Sequence, residues 1–226
     1  MGLIKQKTLI KEYAILGHFY NVTAGAEVIG NCRSVLEIIR RRDIPQDLKQ
    51  LSKSVPDALY IMMNPGSCDP GEHPYEKLDF NTYKIDFSNK SLVNCSIDNT
   101  LQRIMTLSFH KNWRHFRVIN TSDIRFQKGE EFEDVVKRFE GKTKSSIHSI
   151  FHQQRHEELF NAIKGFVKQP VVLAMGVDNK LQDMVIRVLD KQGVQNCYGI
   201  KNLKGKYNHP LVREFSWVQQ MLEQMG

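Results

Sequence analysis

The sequence contains few cysteines, and they stand far apart. Four are present among 226 residues (Cys32, Cys68, Cys95 and Cys197), and no two of them form a C-x-x-C pair. Such pairs mark zinc ribbons and thioredoxin-like redox sites, and an iron–sulfur cluster needs four converging thiolates. We therefore expect free thiols, as in a reducing compartment, and neither a metal nor a cofactor.

Long apolar runs are also missing. No stretch approaches the ~18 apolar residues of a transmembrane helix, and the first residues lack the apolar core of ~7–15 residues that marks a secretory signal. Gln6 stands where a myristoylation signal has serine or threonine. These absences predict a cytoplasmic protein that does not engage a membrane.

The composition is ordinary for a globular protein, but the charge is strongly basic. Hydrophobic residues make up 41% of the chain, and the formal net charge is +7. A chain of this length is expected to form a single domain with a buried core, and we expect a monomer. A basic domain is consistent with a nucleic-acid partner, DNA or RNA, although lysine-rich surfaces also serve solubility alone.

Apolar runs alternate with amphipathic segments over residues 58–225. Strands are predicted at 58–63, 116–119, 170–175 and 194–198. Helices are predicted at 99–112, 130–139, 150–167, 181–189 and from about residue 210, with Asp98 as the N-cap of the first and a basic linker at 141–146. This alternation predicts an α/β fold of three αβα layers around a central, mostly parallel four-stranded sheet.

Two other segments lack this alternation. Residues 1–55 contain β-forming residues and turn residues, which predict a β-rich N-terminal extension with a short helix at 45–54. Residues 64–96 contain several prolines and glycines and no periodicity. A loop of ~30 residues inside a compact domain is often functional, and we expect the part at 67–90 to enlarge or gate a pocket.

Three polar residues follow predicted strands. Asn64 and Asn120 end the first and second strands, and His209 follows the fourth at a predicted helix start. Because the carboxyl ends of parallel strands gather at one edge of a sheet, where ligands bind, we expect these side chains to meet. An amide can hold a water or a base edge, and a neutral imidazole at a helix start can stabilise a developing anion.

Each of these residues also has a purely structural interpretation. Asn-Pro-Gly at 64–66 is favourable turn chemistry, Asn120 can cap the turn that follows it, and His209 can simply pack at a helix start. The aspartates Asp69, Asp79, Asp98 and Asp123 are not ranked by any pattern. His148, His152 and His156 recur at four-residue spacing and would form a metal face on one helix, but no H-E-x-x-H motif supports this.

Several motifs resemble those of the uracil-DNA glycosylase superfamily. Met63-Asn64-Pro65-Gly66 resembles the first active-site motif of its single-strand-selective and mismatch-specific branches, and His209-Pro210 resembles the start of the second motif. The strand VVLAMG at 171–176 resembles the glycine-ended strand between them. Over about residues 58–225 the chain is also similar to an uncharacterised bacterial and phage family, the domain of unknown function numbered 1643, through IMMNPGSCDP, NTLQRIM, INTSDIR, LAMG and YNHPL.

The resemblance implies a uracil-DNA-glycosylase-like fold and a monofunctional DNA glycosylase, which flips out a damaged or modified base and hydrolyses its N-glycosidic bond. Asn64 would position the attacking water, and His209 would stabilise the departing base anion. The base would be bound by Asn120, Pro65, Gly66, Ser67 and Asp123. DNA phosphates would be bound by Lys201, Lys204, Lys206 and Arg213. Such base excision would serve DNA repair or antiviral defence.

The chain departs from the superfamily pattern, and two alternatives remain open. Asn64 replaces the aspartate of uracil-specific members, and Leu211-Val212-Arg213 replaces a stretch rich in serine and proline. The first alternative is a nucleic-acid-binding protein of this fold without chemistry. The second is an amino-methyltransferase, which also has Asn-Pro after a strand; however, Ser67 stands where that family has an aromatic residue, and no glycine-rich cofactor loop is evident.

Overall fold

The computed structural model describes residues 2–73, 75–80, 91–127, 131–211 and 216–226. The helices are α1 (Gln6–Glu12), α2 (Lys49–Lys53), α3 (Asn99–His110), α4 (Phe132–Thr143), α5 (His156–Ile163), α6 (Gln182–Lys191) and α7 (Ser216–Gln224). The strands are β1 (Tyr13–Ala24), β2 (Glu27–Arg40), β3 (Ala58–Met62), β4 (Glu76–Asp79), β5 (Leu92–Asn94), β6 (His115–Asn120), β7 (Val171–Leu173) and β8 (Cys197–Tyr198). Short 3-10 turns lie at Arg41–Asp43 and Gln153–Arg155.

All eight strands belong to one mixed, mostly parallel sheet. Its order is β4-β1-β2-β6-β3-β7-β8, and β5 pairs with β1 beside β4. The four strands predicted from the sequence, β6, β3, β7 and β8, are mutually parallel. The α/β class is therefore confirmed, but the sheet is twice as large as the four strands that were predicted.

Two of the four additional strands come from the N-terminal segment, whose β-rich character is confirmed. β1 and β2 form a long antiparallel hairpin, and β2 continues the sheet by pairing antiparallel with β6. The chain reverses at Gly25, which has a φ of +59° that residues with a side chain rarely adopt. The hairpin is thus part of the same sheet as the parallel strands.

Side-chain alternation along the strands builds a core on each face of the sheet. Tyr60 and Met62 of β3 pack on one face beneath α1, α3 and α7, which we call the α3 face. Leu59 and Ile61 pack on the opposite face beneath α5 and α6, which we call the α5 face. A strand buried on both faces is continuously apolar, as this one is.

The segment 64–96 is less irregular than its sequence indicates. It contains β4 and β5, which both pair with β1. Strands of four and three residues are too short to show periodicity, and their partner is remote in sequence. Residues 74 and 81–90 lie outside the described residues, and so does that part of the expected gate at 67–90.

Two helices have different bounds from those predicted. α4 continues through Gly141 to Thr143, where a linker was expected, and it ends with Lys144 at a φ of +51°. Buried Phe139 and Thr143 give this last turn a packed side that outweighs the roughly 1 kcal/mol cost of a helical glycine. α5 begins only at His156, because a 3-10 turn precedes it. No helix in the described ranges combines the length and apolarity needed to cross a membrane.

Candidate functional site

The order of the parallel strands creates a crevice between β3 and β7. From β3 the chain first adds β6 on one side and later adds β7 on the other, which gives the order β6-β3-β7-β8. The connections at the carboxyl ends of β3 and β7 therefore diverge, and such a switch point is where open α/β sheets bind ligands. Asn64 follows β3, and Gly176 follows β7.

Hydrogen bonds join the segment after β6 to the segment after β3. The backbone amide of Thr121 donates to Met62 O at 2.9 Å, and its hydroxyl donates to Met63 O at 2.8 Å. Asn179 Nδ2, which belongs to the segment after β7, donates to Thr121 Oγ1 at 3.1 Å. These hydrogen bonds connect the chain segments that follow β3, β6 and β7.

A buried glutamine connects the fourth strand end to the same edge. Gln182 Nε2 donates to Gly176 O at 2.5 Å, and Gln182 Oε1 accepts from the backbone amide of Tyr207 at 2.8 Å. Tyr207 lies two residues before His209, whose Cβ is 3.6 Å from the point where a Cβ on Gly176 would lie. The structure thus brings His209 to the crevice beside β7.

Asn64 is half-buried, and its amide nitrogen is already occupied. Asn64 Nδ2 donates to Phe126 O at 2.7 Å and to Pro65 O at 3.1 Å. The backbone amide of Phe126 also donates to Pro65 O at 3.1 Å, which ties the turn to the segment after β6. With its nitrogen held in this way, Asn64 has its carboxamide oxygen left to accept a hydrogen bond from a water or a substrate.

Asn120 is the most unusual polar residue of the edge. It is 1% exposed, it pairs with Met62 across the sheet, and alternation directs it with Phe116 and Val118 to the α3 face. Within the described residues neither its amide nitrogen nor its oxygen has a hydrogen-bond partner. An unsatisfied buried polar group costs about 1–3 kcal/mol, and a group with both a donor and an acceptor, once admitted beside this amide, would relieve that cost.

His209 is held as a neutral donor. The backbone amide of Leu211 donates to His209 Nδ1 at 3.2 Å, so Nδ1 is the acceptor and the ring proton resides on Nε2. Burial lowers the pKa of His209 to about 4; the charge of Asp98 opposes this shift and that of Arg103 adds to it. At neutral pH the imidazole is therefore uncharged, and among the described residues Nε2–H has no hydrogen-bond acceptor, so it can donate to a ligand.

The cause of the low pKa of His209 differs from the one expected. The helix predicted from residue 210 begins in the described residues at Ser216, and Pro210 and Leu211 lie in a turn. Residues 212–215, including the predicted phosphate contact Arg213, lie outside the described residues. Burial, rather than a helix N-terminus, disfavours the imidazolium.

One carboxylate, which the sequence did not rank, lies between the Asn64 turn and His209. Asp98 caps α3 as predicted, because its Oδ1 accepts from the backbone amide of Leu101 at 2.7 Å. Its Oδ2 lies 3.4 Å from Ser67 Oγ, and it would lie 3.2 Å from a Cβ on Gly66. A side chain at position 66 would crowd this carboxylate, so glycine permits the close approach.

A cavity of about 450 Å³ opens next to this turn, a size within the range of small-molecule sites. It is lined by Asn31, Gly66, Arg125, Phe126, Gln127 and Glu131. A larger cavity of about 790 Å³ lies on the α5 face, bordered by α2, β6 and α5. Its buried charges are satisfied by one another, since Arg117 Nε donates to Glu37 Oε1 at 2.7 Å. Asn64, Asn120, Asp98 and His209 line neither cavity, and the smaller one adjoins the Asn64 turn through Gly66.

Asp123, a predicted base contact, is fully buried instead. Its Oδ2 accepts from the Tyr20 hydroxyl at 2.7 Å and forms an ion pair with Arg155 Nη2 at 2.9 Å. Burial raises the pKa of Asp123 to about 6, although Arg155 opposes this shift. This placement does not support a base contact, because the carboxylate binds Tyr20 and Arg155 inside the protein. No sequence pattern pointed to Arg155.

The predicted phosphate-binding lysines lie on an exposed turn just before His209. Asn202 Oδ1 accepts from the backbone amides of Lys204 and Lys206, at 2.9 and 3.0 Å. Lys206 Nζ is bound to Asp183 at 2.9 Å, and Lys201 Nζ lies 4.8 Å from the centroid of the Tyr207 ring. Leu203 at the tip is fully exposed. The turn is thus a basic projection that is held by internal hydrogen bonds and has an apolar side chain at its tip.

The three spaced histidines do not share a helix. His148 precedes α5, and its ring nitrogens are bound to Ser122 Oγ at 2.8 Å and Glu140 Oε1 at 3.1 Å. Over the described ranges no group of three His, Cys, Asp or Glu residues is arranged to hold a metal. The four cysteines are free thiols, as predicted.

Comparison with known proteins yields no relative: no family model, curated protein or solved structure matches this chain. Membership of the glycosylase superfamily therefore stays a prediction from the sequence around Asn64, Asn120 and His209. Residues with no motif signal, Asn179, Gln182 and Phe126, complete the edge through hydrogen bonds that only the folded chain displays.

Proposed function

We propose that this chain is a monofunctional DNA glycosylase that hydrolyses the N-glycosidic bond of a damaged or modified base. The observation that carries the proposal is the buried, unpaired amide of Asn120, at the same sheet edge as the oxygen of Asn64 and the neutral imidazole of His209. A nucleobase edge presents adjacent donors and acceptors, which is the complement that a carboxamide requires.

In the proposed reaction each of the three residues has a separate task. Asn120 binds the edge of the flipped base, and Asn64 accepts a hydrogen bond from the attacking water through its oxygen. As the bond from C1′ to the base nitrogen breaks, its electron pair leaves with the base, and His209 Nε2–H donates to that anion. The water oxygen then bonds to C1′ and releases one proton, which passes to solvent, while the departed base anion takes a proton from solvent. Preorganised donors of this kind are typically worth ~10²–10³-fold in rate each.

The basic turn that contains Lys201, Lys204 and Lys206 supports DNA as the substrate. Flipping a base out of a duplex costs a few kcal/mol, and lysine contacts with phosphates offset that cost through counterion release. Leu203 extends from the same turn with its whole side chain exposed. Apolar side chains in such positions insert between base steps, so Leu203 would hold the duplex open while the base occupies the crevice.

A binding protein of the same architecture is the second candidate function. Asn64 favours it, because an amide cannot take a proton from water as a carboxylate does. Such a protein would bind DNA with a strong salt dependence and release no base. In the cell it would then recognise DNA rather than excise bases for repair or antiviral defence.

A base-release screen tests the proposal. The protein is incubated with single- and double-stranded oligonucleotides that carry one uracil, hypoxanthine or modified cytosine, and abasic sites are detected as alkali-labile breaks. We expect release from at least one substrate, with a loss of at least ~10²-fold in Asn120→Ala and His209→Ala. The matched controls are Asn161→Ala and His156→Ala, two exposed residues of α5.

Two outcomes contradict the proposal. Salt-dependent DNA binding without any abasic product supports the binding protein. Base release that survives in both Asn120→Ala and His209→Ala places the chemistry elsewhere. Binding of S-adenosylmethionine, measured by calorimetry, would instead support the methyltransferase alternative.

A further inference from the structure

We propose that Asp98 is a further catalytic residue of this site, whose carboxylate faces the sugar and takes the proton of the attacking water. The proposal rests on the glycosylase function above and deepens it. It assigns to a residue outside the three recognised motifs the acid–base role that an amide at position 64 cannot perform.

The fold places Asp98 at the edge of the sheet where the parallel strands have their carboxyl ends. α3 ends at His110, and β6 begins at His115, so the helix C-terminus lies at the amino end of that strand. The N-terminus of α3, where Asp98 is the cap, therefore lies at the opposite edge, with the strand carboxyl ends. α3 also covers the α3 face, to which Asn120 is directed.

The two oxygens of Asp98 have different surroundings. Oδ1 accepts from the backbone amide of Leu101 at 2.7 Å and thereby caps the helix. Oδ2 is directed to the turn that follows Asn64, at 3.4 Å from Ser67 Oγ. A long contact with one hydroxyl leaves lone pairs of Oδ2 available to a water or a sugar hydroxyl in that turn.

Among the described residues, the charge of Asp98 is also not neutralised by a neighbour. Across the described ranges no lysine, arginine or histidine nitrogen lies within ion-pair distance of this carboxylate. Its field extends to His209 on the other side of the crevice. A carboxylate between the water-binding turn and the imidazole can stabilise the positive charge that develops on the sugar.

The proposed hydrolysis needs only water in addition to the DNA substrate. The C1′–N bond breaks, and its electrons leave with the base, which His209 stabilises and which later takes a proton from solvent. The water oxygen bonds to C1′ while Asn64 orients it, and its proton passes to Asp98 Oδ2 and then to solvent. Asn64 and Asp98 together thus perform the task that one aspartate performs in the uracil-specific pattern.

The competing interpretation is that Asp98 only caps α3. Asparagine and aspartate are about equally good N-caps, so Asp98→Asn removes the charge and keeps the cap. The matched control is Asp47→Asn, because the exposed Asp47 accepts from the backbone amide of Lys49 at the start of α2. Should Asp98→Asn not fold, Asp98→Ser retains a capping hydroxyl.

The experiment measures single-turnover base release, DNA affinity and the thermal midpoint of the full chain, with the substrate found in the base-release screen. We expect Asp98→Asn to lose ~10²-fold or more in the rate of the chemical step, with affinity and midpoint unchanged. A rate within about threefold of the wild type, the size of effect expected of the Asp47→Asn control, would falsify the catalytic role and leave the glycosylase proposal intact. If the wild-type chain itself releases no base, the glycosylase proposal is overturned, and the role of Asp98 with it.

Discussion

The amide nitrogen of Asn64 donates a hydrogen bond of 2.7 Å to the carbonyl oxygen of Phe126. This bond turns the side chain so that its oxygen, and not its nitrogen, is available to a ligand. It also fixes the turn after β3 to the segment after β6, two pieces of chain separated by more than fifty residues. The orientation of one carboxamide therefore depends on a contact that the local sequence does not contain.

Replacing Asn64 by aspartate is therefore expected to destabilise the protein rather than to improve water activation. A carboxylate would place an oxygen against the carbonyl oxygens of Phe126 and Pro65, and it has no hydrogen to donate. We expect a loss of about 1–3 kcal/mol in the free energy of unfolding, measured by urea denaturation. Asn161→Asp on α5 is the control, and a stability equal to the wild type would show that the bond is dispensable.

Asn120→Leu should affect stability and function in opposite directions. Leucine has a similar volume and removes two polar atoms that lack partners, so the free energy of unfolding should stay equal or rise. Base release should be lost, because the donor–acceptor edge is gone. Destabilisation of more than about 2 kcal/mol in urea titrations would show that the amide is satisfied in the folded state.

The depressed pKa of His209 predicts acid lability. The unfolded chain binds a proton at the ordinary pKa of 6.5 and the folded chain only near 4, so the stabilisation is complete above pH 6.5 and is lost as the pH falls towards 4. The loss between pH 7 and pH 4 is on the order of 3 kcal/mol. Urea denaturation at several pH values should show this component in the wild type and His156→Asn, but not in His209→Asn. Equal acid sensitivity in all three proteins would contradict the shift.

The lysines of the basic turn should contribute unequally to DNA binding. Lys206 is bound to Asp183, whereas Lys204 lies exposed at the tip. We expect Lys204→Ala to reduce the slope of log affinity against log salt by about 1, and Lys206→Ala to reduce it less. Fluorescence anisotropy over a range of salt concentrations measures both slopes, and the reverse order would show that the Asp183 pair opens on binding.

Leu203→Ala should change the rate of base release on duplex substrates but not on single-stranded ones. A side chain that acts as a wedge matters only where bases are stacked and paired. We expect slower base release from duplex DNA and an unchanged rate on the same sequence as a single strand. Equal losses on both substrates would indicate a role in folding of the turn, which the thermal midpoint would report independently.

Local signals predicted the elements that position the site, and non-local contacts determined the rest. The apolar run of β3 and the capping aspartate of α3 are each encoded within a few residues, so both predictions are confirmed. The late start of α5 depends instead on Arg155, which is fully buried and donates to the carbonyls of Ile147 and His148. A charged residue at that position looks like a surface residue until its partners are known.

The candidate site shows the same division. Asn64 and Asn120 were found because each follows an apolar run, and His209 was found because a proline follows it directly after the last predicted strand. Gln182, which holds the segment before His209 to the end of β7, lies at the start of an amphipathic helix and looks like any solvent-exposed amide. The burial of Asp123 was equally hidden, since its partner Tyr20 belongs to a hairpin that sequence alone did not attach to β6.

Among the described residues, the strands at the two outer borders of the sheet are short. β8 has two residues and β4 has four. An unpaired edge is a template on which another chain can extend a sheet, and edges this short expose few free amides and carbonyls. Self-association by strand addition is thereby discouraged at β4 and β8, the borders of the sheet that the described residues form.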